Sequence, residues 1–272
     1  MHKLICAIRG SKKSAETTLR TMSEPNSDKL KIDACFSPFL YPVYEDNNSI
    51  VVIIDILRAT SAICTAFEHG AEKVIPVASI DEAREFKKQG YLVGAERNAV
   101  AVEGFDFGNS PYSYMGERVR GKTIVITTTN GTQAIQTARH AYKVVIGSFL
   151  NIDALCEWLV EENRNVLLLC SGWKNKFNLE DALFAGAVTE KISSLTTNFQ
   201  HGDACLALKY LYQLAEKDPN KFLNHSSHKE RLARLNLKKD IRYCLTPNQT
   251  KVIPVLKGNV LVKLEKEFSA VS

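Results

Sequence analysis

The segment SIVVIIDIL, residues 49–57, is the feature that most restricts what this chain can fold into. A run of branched apolar side chains with no alternation has no face to offer water, so it fits a strand covered on both sides, the central strand of a parallel sheet. The next segment, TSAICTAFEHG, places apolar side chains at helical spacing and stops at Gly70, a residue suited to the left-handed position after a helix. The unit recurs. EKVIPVAS reads as a strand, Ser79 and Glu82 form a capping box before the helix IDEAREFKKQG, and YLVGAE returns as a strand. KTIVITTT, KVVIGS and NVLLLCSG are further strands, separated by helices at TQAIQTARHA and NIDALCEWLVEEN, and KIDACF alternates as a half-buried strand. This order predicts an α/β fold, a largely parallel sheet with helices on both faces.

After residue 180 the pattern turns helical, with LEDALFAGAVTEKISSL, DACLALKYLYQLAEK and HKERLARLNL. The chain then closes on TKVIPVLKGNVLVKLE, two strands around Lys257-Gly258-Asn259 that read as a terminal β-hairpin. Residues 1–28 carry no coherent period and, up to Met22, hold five Lys or Arg against one Glu. That leaves a targeting peptide, a misassigned start and a disordered extension as alternatives. Residues 29–272 are expected to form one domain, or two coupled lobes with a change near residue 180.

Composition removes several classes. Net charge is +5, but acidic and basic residues are interspersed, which argues against a nucleic-acid partner. The basic stretch HKERLARLNLKK lacks interleaved aromatics and reads as a solvated helix face. The seven cysteines are scattered without a CxxC pair, as expected of reduced thiols in the cytoplasm, and no apolar run approaches a membrane span.

In open parallel sheets, ligands bind beyond the carboxyl ends of the strands, so the polar residues after each apolar run are the first candidates. In Asp55-Ile56-Leu57-Arg58-Ala59-Thr60-Ser61, Asp55 is suited to hold a hard cation and Arg58 to clamp an anion bidentately, with the Thr60 and Ser61 hydroxyls at a helix start. The same residues also make a helix cap beside an ion pair. Thr127-Thr128-Thr129-Asn130-Gly131-Thr132 ends one strand and opens a helix, so its amides can cradle an anion, with Gly131 allowing close approach; Asn-Gly is equally an ordinary turn. Gly108-Asn109-Ser110-Pro111 is explained by Ser110 as N-cap and Pro111 at the first helical position, with Asn109 and Ser110 as further anion contacts. Glu96-Arg97 and Glu103 to Asp106 are second-tier candidates near a strand exit. Cys170-Ser171-Gly172 ends a fourth strand, and Glu180-Asp181 then begin a helix, where carboxylates are favoured with or without a metal. Should Glu180 and Asp181 return towards Asp55, the three suit magnesium (Mg2+), which completes its octahedron with water and substrate oxygens.

The absences narrow the chemistry. There is no GxxxxGK[ST] loop, and Asp55-Ile56-Leu57 lacks the second aspartate of a DxD phosphatase. Lys176-Phe177 stands where a cysteine-dependent phosphatase loop would carry Arg after Cys170, so Cys170 as nucleophile competes with simple packing.

Taken in order, KIDACFSP, VVIIDILRATSA, FGNSP, TTTNGT, LLLCSG and LEDALFAGA resemble the 2-phosphosulfolactate phosphatase family of coenzyme M biosynthesis, over roughly residues 30 to 260. The resemblance implies magnesium-dependent hydrolysis of 2-phosphosulfolactate to sulfolactate and phosphate, and a homo-oligomer. The expected arrangement has magnesium held by Asp55, Glu180 and Asp181, with Arg58 and the Thr127–Thr132 loop stabilising charge on the phosphate. A non-catalytic binding module for a small organic phosphate or sulfonate is the rival reading.

Overall fold

The computed structural model describes residues 29–265. The extension over residues 1–28 lies outside them, as do residues 266–272. The strands are β1 (Leu30–Cys35), β2 (Ile50–Ile54), β3 (Lys73–Pro76), β4 (Leu92–Arg97), β5 (Val100–Ala101), β6 (Thr123–Thr127), β7 (Lys143–Gly147), β8 (Val166–Cys170), β9 (Phe199–His201), β10 (Pro254–Lys257) and β11 (Val260–Lys263). The helices are α1 (Tyr41–Tyr44), α2 (Ala59–Glu68), α3 (Ile80–Lys88), α4 (Gly131–Thr137), α5 (Ile152–Glu162), α6 (Leu179–Leu195), α7 (Asp203–Ala215), α8 (Pro219–Phe222), α9 (Ser227–Arg234) and α10 (Lys238–Cys244).

All the strands join one sheet in the order β5-β4-β6-β3-β11-β10-β7-β2-β8-β1-β9. It contains two parallel blocks, β4-β6-β3 and β7-β2-β8-β1-β9. Between them stands the C-terminal hairpin, antiparallel to β7 on one side and to β3 on the other. The expected hairpin forms, but it is the keystone of the sheet instead of an appendage. Beyond the change of pattern near residue 180, β9, β10 and β11 all return to the same sheet.

β2 shows why a continuous apolar run was required. Ile50, Val52 and Ile54 enter one core with Trp158, Leu159 and Phe184, while Val51 and Ile53 enter the other with Ile63, Phe67 and Ile135. Alternate side chains point to opposite faces, and each face is covered by helices. Each such buried Val or Ile contributes about 1.5–3 kcal/mol of apolar burial. The hairpin feeds both cores as well, Val255 into the first and Leu261 into the second. Six cysteines, Cys35, Cys64, Cys156, Cys170, Cys205 and Cys244, are buried and unpaired. Among the described residues no helix is long and apolar enough to cross a membrane.

Two local expectations change. Ser79 accepts from the Glu82 amide at 3.1 Å, but the Glu82 carboxylate takes the Ala78 amide instead of that of Ser79, so half the capping box forms. Pro111 opens a helical turn as expected, yet the Ser110 side chain makes no capping hydrogen bond.

Candidate functional site

β2 delivers Asp55 to the carboxyl end of the sheet, and the chain turns at once into α2, with the Leu57–Arg58 peptide bond cis. The turn is tied by its own side chains: the Thr60 hydroxyl donates to the Asp55 carbonyl at 2.9 Å, and the Ser61 hydroxyl donates to the Ile56 carbonyl at 3.0 Å. Both residues are fully buried, so they shape the Asp55 turn instead of facing a ligand.

Asp55 and Arg58 line a cleft together with Glu96, Asn109, Trp173, His228 and Arg231. Thr129 and Asn130 contribute from the loop after β6. That loop lies directly against Asp55, because a side chain at Gly131 would meet the Asp55 carboxylate at 3.0 Å and the Ala59 side chain at 2.9 Å. Its other groups are engaged locally. Thr127 accepts from Arg97 at 3.0 Å, Thr128 accepts from the Thr132 amide at 3.2 Å, and the Thr129 hydroxyl donates to Glu96 at 3.3 Å. Of the segment from Thr127 to Thr132, Thr129 and Asn130 reach the cleft wall, while Thr127, Thr128 and Thr132 are buried in the fold of the loop.

The acidic residues are crowded. Burial, with Glu96 and Glu180 nearby, pushes the Asp55 carboxyl up to about 6, against the opposing pull of His228 and the Ala59 amide. Burial and the proximity of Asp55 and Glu180 push Asp181 well above the usual carboxylate range. Asp181 gives one oxygen to the Ile56 amide at 3.0 Å and the other to the Gly172 amide at 3.3 Å. It therefore pins the ends of β2 and β8 together from beneath the cleft. Glu180 accepts from Ser226 at 3.2 Å and meets His228 Nδ1 at 2.5 Å. Its charge thus orients the imidazole at the cleft.

The expected magnesium set of Asp55, Glu180 and Asp181 does not assemble. Among the described residues no three His, Cys, Asp or Glu side chains are placed to hold one ion. The reason is geometric: Glu180 and Asp181 are turned to protein donors, and Asp55 faces the cleft with Glu96. The chemistry of the donors still suits a hard dication, because these carboxylates repel one another and a cation would relieve them.

Arg58 also differs from its expected role. It is buried, its Nη1 donates to Asp240 of α10 at 2.8 Å, and its Nη2 donates to the Ala99 carbonyl at 2.8 Å. The charge is thus largely matched within the protein, which leaves Arg58 a wall of the cleft more than a free clamp. Ala99 sits in the two-residue turn between β4 and β5, where Asn98 and Ala99 have φ of 55° and 69°. Left-handed backbone at Ala is disfavoured by about 1–2 kcal/mol; here it is held by the Arg58 bond on one side and by a Glu96 bond to the Ala99 amide on the other.

Cys170 is buried at the end of β8 and outside the cleft lining. Burial pushes its thiol well above the ordinary range, and Asp181 adds to this, so the thiolate needed for attack is suppressed. Ser171 is likewise buried, with its hydroxyl oxygen unpartnered among the described residues. Gly172 has φ +62°, and a side chain there would lie 2.5 Å from the Lys176 carbonyl. This lets the chain enter a tight turn closed by Trp173–Lys176 hydrogen bonds of 3.0 Å, which presents Trp173 to the cleft. Asn109 reaches the cleft, next to the Gly108 carbonyl bound by Tyr114 at 2.8 Å, and Asn109 Oδ1 is buried without a partner among the described residues. Ser110 does not line it.

Trp173, His228, Arg231 and Asp240 were missed. Trp173 follows LLLCSG directly and was legible as a strand-end residue. His228 and Arg231 lie three residues apart on α9, hence on one helix face, within the stretch read as solvated. That reading holds for Glu230 and Arg234, which pair with each other on the exposed side.

The fold and the cleft define an α/β protein with a polar cleft at the carboxyl ends of its parallel strands, lined by Asp55 and Glu96 and by Arg58, His228 and Arg231. A model of the family described as 2-phosphosulpholactate phosphatase matches residues 35–259. A protein of Caldanaerobacter subterraneus subsp. tengcongensis named "Probable 2-phosphosulfolactate phosphatase" is 40% identical over 238 residues, 83% of this chain and 98% of its own. Proteins of the same name from Thermotoga maritima and Clostridium acetobutylicum are 42% and 36% identical, over 80% and 83% of this chain and 92% and 97% of theirs. The chain belongs to the 2-phosphosulpholactate phosphatase family.

Proposed function

We propose that this protein is a phosphoric monoester hydrolase that cleaves 2-phosphosulfolactate to sulfolactate and phosphate. The observation that carries the reading is the cleft itself, where Asp55 and Glu96 meet His228, Arg58 and Arg231 at the carboxyl ends of the parallel strands. A phosphate ester needs its charge matched in the ground state and better matched as the bond to the leaving oxygen breaks. Arg231 supplies positive potential, and Asn130 sits on the loop held against Asp55. His228, fixed by Glu180, is placed to donate a hydrogen bond from its other ring nitrogen to a phosphate or leaving-group oxygen. Trp173 lines the site beside Arg231.

Magnesium is part of the proposal, with Asp55, which faces the cleft, as the carboxylate that would hold it; Glu96 beside it already accepts from Thr129 and from the Ala99 amide. When bound, it would neutralise phosphate charge and lower the pKa of a coordinated water. The cytoplasm is the proposed compartment, supported by the six buried, unpaired thiols. A homo-oligomer is proposed as well, supported by Leu206, Tyr210 and Leu214, exposed at four-residue spacing on α7. The place in coenzyme M biosynthesis stands with the proposed substrate.

The test is phosphate release from 2-phosphosulfolactate with magnesium and with chelator. Metal-dependent release is expected; absence of release under both conditions, with ligand binding retained, would favour a non-catalytic binding module.

A further inference from the structure

Two guanidinium groups line the cleft, and they are in opposite electrostatic states. Arg58 is matched by Asp240 and by the Ala99 carbonyl. Arg231 forms no ion pair with any described carboxylate, and its Nε is buried without a hydrogen-bond partner. Its guanidinium carbon lies 4.3 Å from the centre of the Trp173 ring. A cation–π contact with an indole face uses none of the guanidinium N–H groups. A buried N–H left unpaired is disfavoured.

We infer that Arg231 is the specificity-determining residue of the cleft, binding the sulfonate of the substrate with its guanidinium, which packs on the Trp173 ring. The inference rests on the proposed substrate and names which of its anions Arg231 takes. The proposed function seats the phosphate beside His228 and Asn130, the hydrogen-bond donors of the cleft nearest the Asp55 turn. The second anion must lie against a wall that is already cationic, and Arg231 is the wall cation that no described carboxylate matches. A sulfonate suits this wall better than a carboxylate does. It is weakly hydrated, as guanidinium is, so little solvation is lost beside an indole, and its three oxygens accept from the fork in many rotations. Arg231 stands one helical turn from His228, so an anion seated on it also fixes the substrate relative to the imidazole.

The test compares the full-length wild type with Arg231→Gln and Arg231→Lys on 2-phosphosulfolactate and on 2-phospholactate, which keeps the phosphate and carboxylate but lacks the sulfonate. Arg231→Gln is expected to lower kcat/KM on the sulfonate substrate at least about tenfold more than on 2-phospholactate, chiefly through KM, with Arg231→Lys intermediate. Equal losses on both substrates, or none on the sulfonate, would overturn the inference, as would a loss confined to kcat. Melting of each variant is measured alongside, and if the Gln form is unfolded the Lys form carries the comparison. Should the wild type turn over neither compound, the proposed function fails. Calorimetric binding of sulfolactate to the wild type and to the Gln variant then decides the role of Arg231, an undiminished affinity in the variant refuting it.

Discussion

Replacing Asp55 with Asn should make the metal-free protein more stable while removing its activity. Asp55 is pushed up to about 6 from an ordinary 3.8, by burial first and then by Glu96 and Glu180. Each pKa unit is about 1.4 kcal/mol, so ionised Asp55 disfavours the fold by up to about 3 kcal/mol, and by less once solvent at the cleft mouth screens it. Because the folded value lies above the unfolded one, the penalty is absent below about pH 4. It grows as the pH rises from about 4 to about 6 and is full above that. Asn keeps an oxygen for the Ala59 amide and carries no charge, so Asp55→Asn at pH 7.5 in chelator should gain about 1–3 kcal/mol. For a chain of this size that raises Tm by about 2–8 °C, with the difference vanishing near pH 4. Millimolar magnesium should then raise the wild-type Tm and leave the variant unmoved, closing or reversing the gap. The assay is thermal unfolding followed by far-ultraviolet circular dichroism across this pH range, with chelator and with magnesium. A variant less stable than the wild type in chelator at pH 7.5 would refute the crowded-carboxylate reasoning. Metal stabilisation undiminished in the variant would remove Asp55 from the metal site.

Arg58→Ala should destabilise by about 3–5 kcal/mol in urea unfolding, because it leaves Asp240 buried without its partner, whereas Arg58→Met with Asp240→Leu should recover most of that loss. A single substitution as mild as the double would show the pair to be of little structural weight. Cys170→Ala should retain phosphatase turnover within about twofold and cost about 1 kcal/mol of stability, as expected of packing; a loss of about a hundredfold in kcat would return the thiol to the mechanism.

Much of the architecture was legible in local pattern. An apolar run such as that in β2 admits few structures but a doubly covered strand, and the long period of LEDALFAGAVTEKISSL gave α6 from Leu179 to Leu195 as it stands. Strand-end logic also placed Asp55, Arg58, Asn109 and Asn130, all of which line one cleft. What side chains do there was decided across the chain. Arg58 meets Asp240 at a separation of 182 residues, and Glu180 meets His228 at a separation of 48. No local period encodes those partners, so a free clamp and a matched one look identical in sequence. The same holds for the hairpin of β10 and β11, whose turn is written in Lys257-Gly258-Asn259 but whose place between β3 and β7 depends on packing against both cores. The sequence by itself determined where strands end and polar groups emerge, because those follow from local burial. Only the tertiary structure decided which of those groups are satisfied by one another and which, like Arg231 and Asn109, are left with unpartnered atoms at the cleft.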